Sequence, residues 1–108
     1  MNNLIKIGNQ SISQKEINGM RVVTLSDIDN VHERPTGTAR KRFNDNKNRF
    51  IEGEDYYVLK TDEAKENFGI KAPSGLNLIT ESGYLMLVKS FTDDLAWTVQ
   101  RQLVSTYF

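Results

Sequence analysis

Residues 34–49 read RPTGTARKRFNDNKNR, and we expect the rest of this 108-residue chain to form the scaffold that holds them at the surface. Six of the chain's 14 Lys and Arg residues lie in this segment, opposed within it by Asp45 alone. Since the formal charge of the whole chain is zero, the segment creates a local positive field on an otherwise balanced protein. Pro35 and Gly37 stand near its start, which predicts a turn followed by a basic helix.

The residues on either side of this turn predict a pair of helices. The first is expected over 26–33, with Ser26 as its N-cap and apolar residues recurring at every third position. The second is expected over 38–48, and Ala39, Phe43 and Phe50 fall within one narrow apolar arc. Its polar face carries Arg40, Lys41, Asn44, Lys47 and Asn48. Two helices joined by a short Gly-containing turn are typical of a helix-turn-helix arrangement.

Shorter elements surround this pair. The Asn18-Gly19 dipeptide is a strong hairpin signal and precedes a β-branched run. The other expected elements are strands at 4–7, 20–24, 56–59 and 77–80, a helix at 62–68 and C-terminal helices at 82–91 and 95–108. The sequence therefore predicts an α+β fold: a small domain with an N-terminal β-hairpin, a helix-turn-helix-like pair, short strands and two C-terminal helices.

Length and composition narrow the class of protein. A chain of 108 residues forms a single domain, here residues 1–108, with one modest core. It contains no cysteine, so disulfides, thiolate metal sites and a cysteine nucleophile are excluded. The sequence has no apolar run approaching the ~20 residues of a membrane span, and we expect a cytoplasmic protein without membrane contact. Because the chain ends on LVSTYF without a capping signal, we expect it to be the N-terminal part of a longer protein.

Two segments carry a resemblance to a known family. These are the FxxGEDYY pattern, formed by Phe50 and residues 53–57, and LITESGYLML at residues 78–87. Together with the basic helix they resemble the KilA-N / Bro-N superfamily, most closely the DNA-binding domain at the N-terminus of phage antirepressors. The resemblance spans about residues 12–108. It implies a compact α+β DNA-binding module of a phage or prophage regulator, followed by a different C-terminal domain.

The basic segment has the residue types that DNA binding requires. Arg40, Lys41 and Asn44 lie near the start of the second helix, from which Arg reaches guanine and Asn reaches adenine. We expect Arg34 and Lys47 to bind phosphates, since cations offset the backbone charge of double-stranded DNA. The remaining predicted contacts are Asn48 and, with the backbone N–H groups at the helix start, Thr36 and Thr38.

Two alternatives to DNA binding remain open. In the first, the basic face is only solvated and pairs with the acidic turn at 52–55 or the acidic helix at 62–66. In the second, the chain is a protein-interaction module that docks a phage repressor or a host factor through the same face. The sequence pI of about 6.6 favours this second alternative more than a strongly basic pI would.

Other residues attract notice but predict structural roles. His32 and Asp29 share a helix face without a second His or Cys, so no metal site, cofactor site or catalytic centre is predicted, and His32 is expected to be exposed or half-buried. Trp97 is expected to pack between the final helix and the sheet, and Gly83 to permit close packing. We also expect a homodimer through the C-terminal helix, whose apolar arc is wider than one core contact needs.

Overall fold

The computed structural model describes residues 4–108, and within them the chain folds as the predicted α+β domain. The strands are β1 (Leu4–Ile7), β2 (Gln10–Ser13), β3 (Lys15–Ile17), β4 (Met20–Thr24), β5 (Tyr56–Leu59) and β6 (Leu76–Ile79). The helices are α1 (Leu25–Val31), α2 (Thr38–Asp45), α3 (Thr61–Phe68), α4 (Glu81–Val88) and α5 (Asp94–Gln102). A 3-10 turn at Lys47–Arg49 follows α2, and a π-helical turn at Leu103–Tyr107 follows α5.

The strands form a hairpin and a four-stranded sheet. β1 and β2 pair antiparallel by themselves, and the larger sheet has the order β3-β4-β6-β5 with antiparallel neighbours throughout. The predicted Asn-Gly turn joins β3 to β4, with φ of 51° at Asn18 and 79° at Gly19. Positive φ at both central positions matches the twist of the flanking strands, so this hairpin prediction is confirmed.

Side chains alternate across the larger sheet, and both of its faces are covered. Val23, Tyr56 and Ile79 join the main core with residues of α1, α2, α4 and α5. Val22 and Leu78 point the other way into a smaller core closed by α3. The β1–β2 hairpin shares this main core with the last two helices, because Ile7 and Ile12 lie in the same cluster as Tyr84 and Val99.

Three predictions about residues on the helices need correction: an N-cap, a helix end and the burial of a side chain. The N-cap of α1 is Thr24 rather than Ser26: its side chain accepts from the Asp27 N–H while Asp27 accepts from the Thr24 N–H. The basic helix ends at Asp45 instead of residue 48, because the chain turns at Asn46. Trp97 lies outside the core with 72% of its surface exposed, so the expected packing against the sheet is wrong.

The C-terminal turn is held to the sheet by a buried tyrosine. The Tyr107 hydroxyl donates to the Val22 carbonyl and accepts from the Lys15 N–H at 3.0 Å. Burial raises the pKa of Tyr107 to about 12. Among residues 4–108, no helix is both long and apolar enough to cross a membrane.

Candidate nucleic-acid interface

The basic helix α2 is anchored to the core through one apolar face. Ala39 and Phe43 are fully buried, and the Phe43 ring meets Phe50 and Tyr56 edge-on at centroid distances of 5.1 and 5.0 Å. Such edge-to-face pairs stabilise beyond the area that they bury. The predicted apolar arc is confirmed for Ala39 and Phe43, and it orients the opposite face of α2 toward solvent. Phe50 lies beyond the end of the helix, where it packs against Phe43.

A buried carboxylate fixes the start of α2. Asp29 of α1 is 4% exposed, and its two carboxylate oxygens accept hydrogen bonds from the backbone N–H groups of Gly37 and Ala39 at the start of α2, each at 2.9 Å. Gly37 has a φ of 97°, which glycine adopts without strain. The backbone N–H groups of Gly37 and Ala39 thus already have a partner within the protein, and a phosphate at the start of α2 would have to compete with Asp29 for them. Asp29 serves as a cap, a role that its nearness to His32 in the sequence did not indicate.

The outer face of α2 carries the predicted cations and amide. Arg40, Lys41 and Asn44 are all exposed. Lys41 lies 3.0 Å from Asp45 one turn along, with both side chains largely in water. An exposed ion pair of this kind contributes little to stability, so Lys41 is able to exchange Asp45 for another anion. Thr36 is exposed at the preceding turn, and the Thr38 hydroxyl donates to the Pro35 carbonyl at 2.7 Å.

Lys47 and Asn48 belong to a separate element. Both are exposed, but they lie on the 3-10 turn beyond the end of α2. They therefore do not continue the helical face that begins at Arg40, and the predicted five-residue face is divided between two elements.

A cleft adjoins one flank of α2 and adds residues that sequence reasoning missed. It has a volume of about 470 Å³ and separates Arg40 and Asn44 from the loop between α3 and β6. Lys71, Ser74 and Asn77 line the opposite wall. Lys71 lies 22 positions beyond the end of the basic segment, and the antiparallel pairing of β6 with β4 and β5 brings its loop here. No local sequence pattern could have grouped these residues.

Arg34 is committed to contacts within the protein. Its guanidinium lies 2.6 Å from the Asp93 carboxylate and stacks over the Phe91 ring at 4.2 Å. This arrangement ties the turn before α2 to the cap of α5. A phosphate would have to compete with Asp93 for the same group, so Arg34 is less available than the other predicted cations.

Arg42 has a structural position on the other flank of α2. Its Nε donates to the Leu87 carbonyl at 2.9 Å, which links α2 to the end of α4. Arg42, Arg49 and Lys89 surround a smaller pocket of about 170 Å³ with an apolar floor. The positive surface therefore continues around this flank, although Arg42 itself is held by the core.

His32 is buried, contrary to the exposed or half-buried position that the sequence suggested. It is 2% exposed, its Nε2 lies 2.7 Å from the Tyr84 hydroxyl, and Phe91 packs edge-on against its ring at 5.1 Å. Burial lowers the pKa of His32 to about 4, with Asp93 acting to raise it and Arg34 to lower it further. The neutral imidazole serves as a core aromatic at the C-terminus of α1. Within residues 4–108, no group of three or more His, Cys, Asp or Glu side chains is placed to hold a metal ion.

The buried histidine makes stability depend on pH. Its pKa is lower in the folded chain than the ordinary 6.5, so the unfolded chain binds a proton first as the pH falls. Stability is therefore full above about pH 6.5 and decreases toward pH 4, by roughly 3 kcal/mol in total from this group. We expect the urea midpoint to fall between pH 7.5 and 5, and His32→Asn to remove most of that slope. An unchanged slope in the variant would assign the pH dependence to other groups.

Fold and surface together define the class of this protein: a small α+β domain with a helix-turn-helix-like pair and an exposed basic second helix. Residues 12–90 match the ORF6N domain, and because the match covers well over half of the chain, the protein belongs to the ORF6N domain family. This is a phage-associated domain of the Bro-N and antirepressor-like type, which confirms the resemblance at that level. The narrower assignment to KilA-N stays a prediction. No curated protein and no solved structure matches the chain.

Proposed function

We propose that this domain binds double-stranded DNA through the surface formed by α2, the 3-10 turn and the cleft beside them. The observation that carries the proposal is the cleft itself, where Arg40 and Asn44 on α2 face Lys71 on a distant loop. Two cations and an amide on opposite walls of one groove, on a chain of zero net charge, form a local site for a polyanion.

The shape of the site suggests how the contacts divide. The sugar-phosphate backbone would lie in the cleft, with Arg40 and Lys71 neutralising phosphates on either side. Asn44 lies on the same flank of α2 and has the donor and acceptor pair that reads adenine. Lys41 would leave Asp45 for a phosphate, and Lys47, Asn48, Thr36 and Thr38 would extend the contact along the backbone. Arg34 would contribute only if Asp93 released it.

Membership of the ORF6N family supports a more specific role. We propose that the chain is the DNA-binding part of a phage or prophage regulator of the antirepressor type, acting in the cytoplasm of a bacterial or phage-infected cell. In this role the domain binds and does not catalyse. The competing hypothesis is docking of a phage repressor or host factor through the same basic surface, and it makes a different prediction about salt.

A salt titration with charge variants tests DNA binding. We expect measurable affinity for random duplex DNA at low salt that falls steeply with added salt, since bound cations release counterions. Each phosphate contact removed should reduce the slope of log affinity against log salt by about 0.9, so Arg40→Ala combined with Lys71→Ala should reduce it by roughly 1.8. Affinity should fall at least tenfold at low salt. Fluorescence anisotropy with a labelled duplex measures both quantities.

Lys6→Ala is the matched control, because Lys6 is an exposed lysine on the separate β1–β2 hairpin. It removes the same charge from the chain without touching the cleft. If the control weakens binding as much as Lys71→Ala, the field of the whole chain is responsible and the cleft is not the site. Absence of binding at low salt would leave the protein-docking hypothesis in place of DNA binding.

A further inference from the structure

The most exposed large apolar side chain of the described residues lies on the C-terminal helix. Trp97, the only tryptophan in the sequence, is 72% exposed near the middle of α5. Val104, about two turns further on, is also exposed. An aromatic side chain in water on an exposed helical stripe is typical of an interface, where aromatic residues are enriched.

A groove lies directly beside the indole. It has a volume of about 420 Å³ and is lined by Leu85, Trp97, Gln100, Arg101, Val104 and Ser105. Trp97, Gln100 and Arg101 lie on α5, and Val104 follows on the π-helical turn. An exposed ring on such a face can meet the same ring of a second copy across a two-fold axis.

The charges on this stripe have the same symmetry. Asp94 and Arg101 are exposed and lie seven residues apart, about 10 Å along the helix, with Trp97 and Thr98 midway between them. Within residues 4–108, neither forms an ion pair. If a second α5 packs antiparallel about the midpoint between Trp97 and Thr98, Asp94 of each chain faces Arg101 of the other. One two-fold axis therefore satisfies both ion pairs and brings the two indoles, one from each copy, together beside the axis.

We propose that α5 pairs antiparallel with α5 of a second copy of this chain, through Trp97 and two reciprocal Asp94–Arg101 ion pairs. The partner of this face is the same segment of the second copy, because Trp97 and both charges lie on one helix in two-fold register. This proposal does not depend on DNA binding and holds even if the basic cleft has another ligand.

A charge-exchange experiment tests the pairing. Asp94→Lys and Arg101→Glu each turn two attractive contacts of the dimer into two repulsive ones, so either variant alone should raise the dissociation constant roughly a hundredfold. An equimolar mixture of the two variants restores opposite charges at both contacts and should form a heterodimer of near wild-type affinity. Sedimentation velocity measures the three samples, and the emission of Trp97 should shift to shorter wavelength whenever a dimer forms.

Lys65→Glu, a reversal at an exposed position on α3, is the control and should leave the dimer intact. Recovery in the mixture also shows that both variants are folded. A wild-type chain that is monomeric at about 100 µM, where a micromolar dimer would be almost complete, would overturn the proposal and assign the stripe to a different protein partner. Dimers that persist in both single variants, or a mixture that stays monomeric, would equally overturn it.

Discussion

Gly83→Ala is expected to destabilise the domain by about 3 kcal/mol or more, although alanine is the better helix former. A Cβ at this position would lie 2.1 Å from the Asp55 carbonyl oxygen and 3.1 Å from Ile79 Cγ2. The carbonyl cannot retreat freely, because it accepts from both the backbone N–H and the hydroxyl of Thr80, at 3.1 and 3.0 Å. Relieving the overlap would break these bonds or separate α4 from the acidic turn.

Urea denaturation followed by circular dichroism measures this effect. Thr98→Ala is a suitable control, since it also places alanine in a helix but at an exposed position of α5, where we expect a change within about 0.5 kcal/mol. A stabilising Gly83→Ala would mean that helix propensity prevails and that α4 does not approach the turn so closely. Gly83 permits close packing, as predicted, and it connects the two sequence segments that carry the family resemblance. ESGYLML belongs to α4, and GEDYY forms the turn against which α4 packs.

The parts of the fold that could be predicted are those set by local patterns. The Asn-Gly hairpin, the strand at Tyr56–Leu59 and the buried arc of Ala39 and Phe43 each depend on residues close in sequence. The end of α2 was missed because Lys47 and Asn48 continue the polar pattern past Asp45, and no proline or glycine marks the turn at Asn46. A polar face indicates which side of a helix faces solvent, but it does not indicate at which residue the helix ends.

The errors at single residues come from contacts between distant elements. Asp29 and His32 look alike as polar residues on one short helix, yet both are buried because α2 and α4 close over them. Trp97 was predicted to be buried because of its size, yet it is exposed. The buried face of α5 is formed by Ala96 and Val99 instead. The candidate DNA site shows the same division. Its residues on α2 could be predicted from the sequence, whereas the position of Lys71 depends on the order of the strands in the sheet.

Among substitutions of buried residues, Asp29→Ala is expected to reduce the DNA affinity of the candidate site the most. It removes the acceptor for two N–H groups at the start of α2, one of them fully buried, and should cost about 2–4 kcal/mol of stability. The helix that carries Arg40 would then lose its fixed start. We expect DNA affinity to fall at least fivefold in conditions where the domain remains folded, because disordered contacts must be ordered on binding.

Whether Asp29→Ala weakens or strengthens DNA binding shows which effect dominates, the orientation of α2 or the electrostatic effect of removing a negative charge. Removing a negative charge near a DNA site should strengthen binding if electrostatics alone decided the affinity. Asp45→Ala provides that comparison: Asp45 is exposed at the end of α2 and contacts only the exposed Lys41, so its loss should raise affinity roughly threefold and leave stability unchanged within about 0.5 kcal/mol. Anisotropy and urea titrations on both variants supply the measurement. If Asp29→Ala strengthens DNA binding as Asp45→Ala does, the orientation of α2 is not what the site depends on, and the buried carboxylate matters for stability alone.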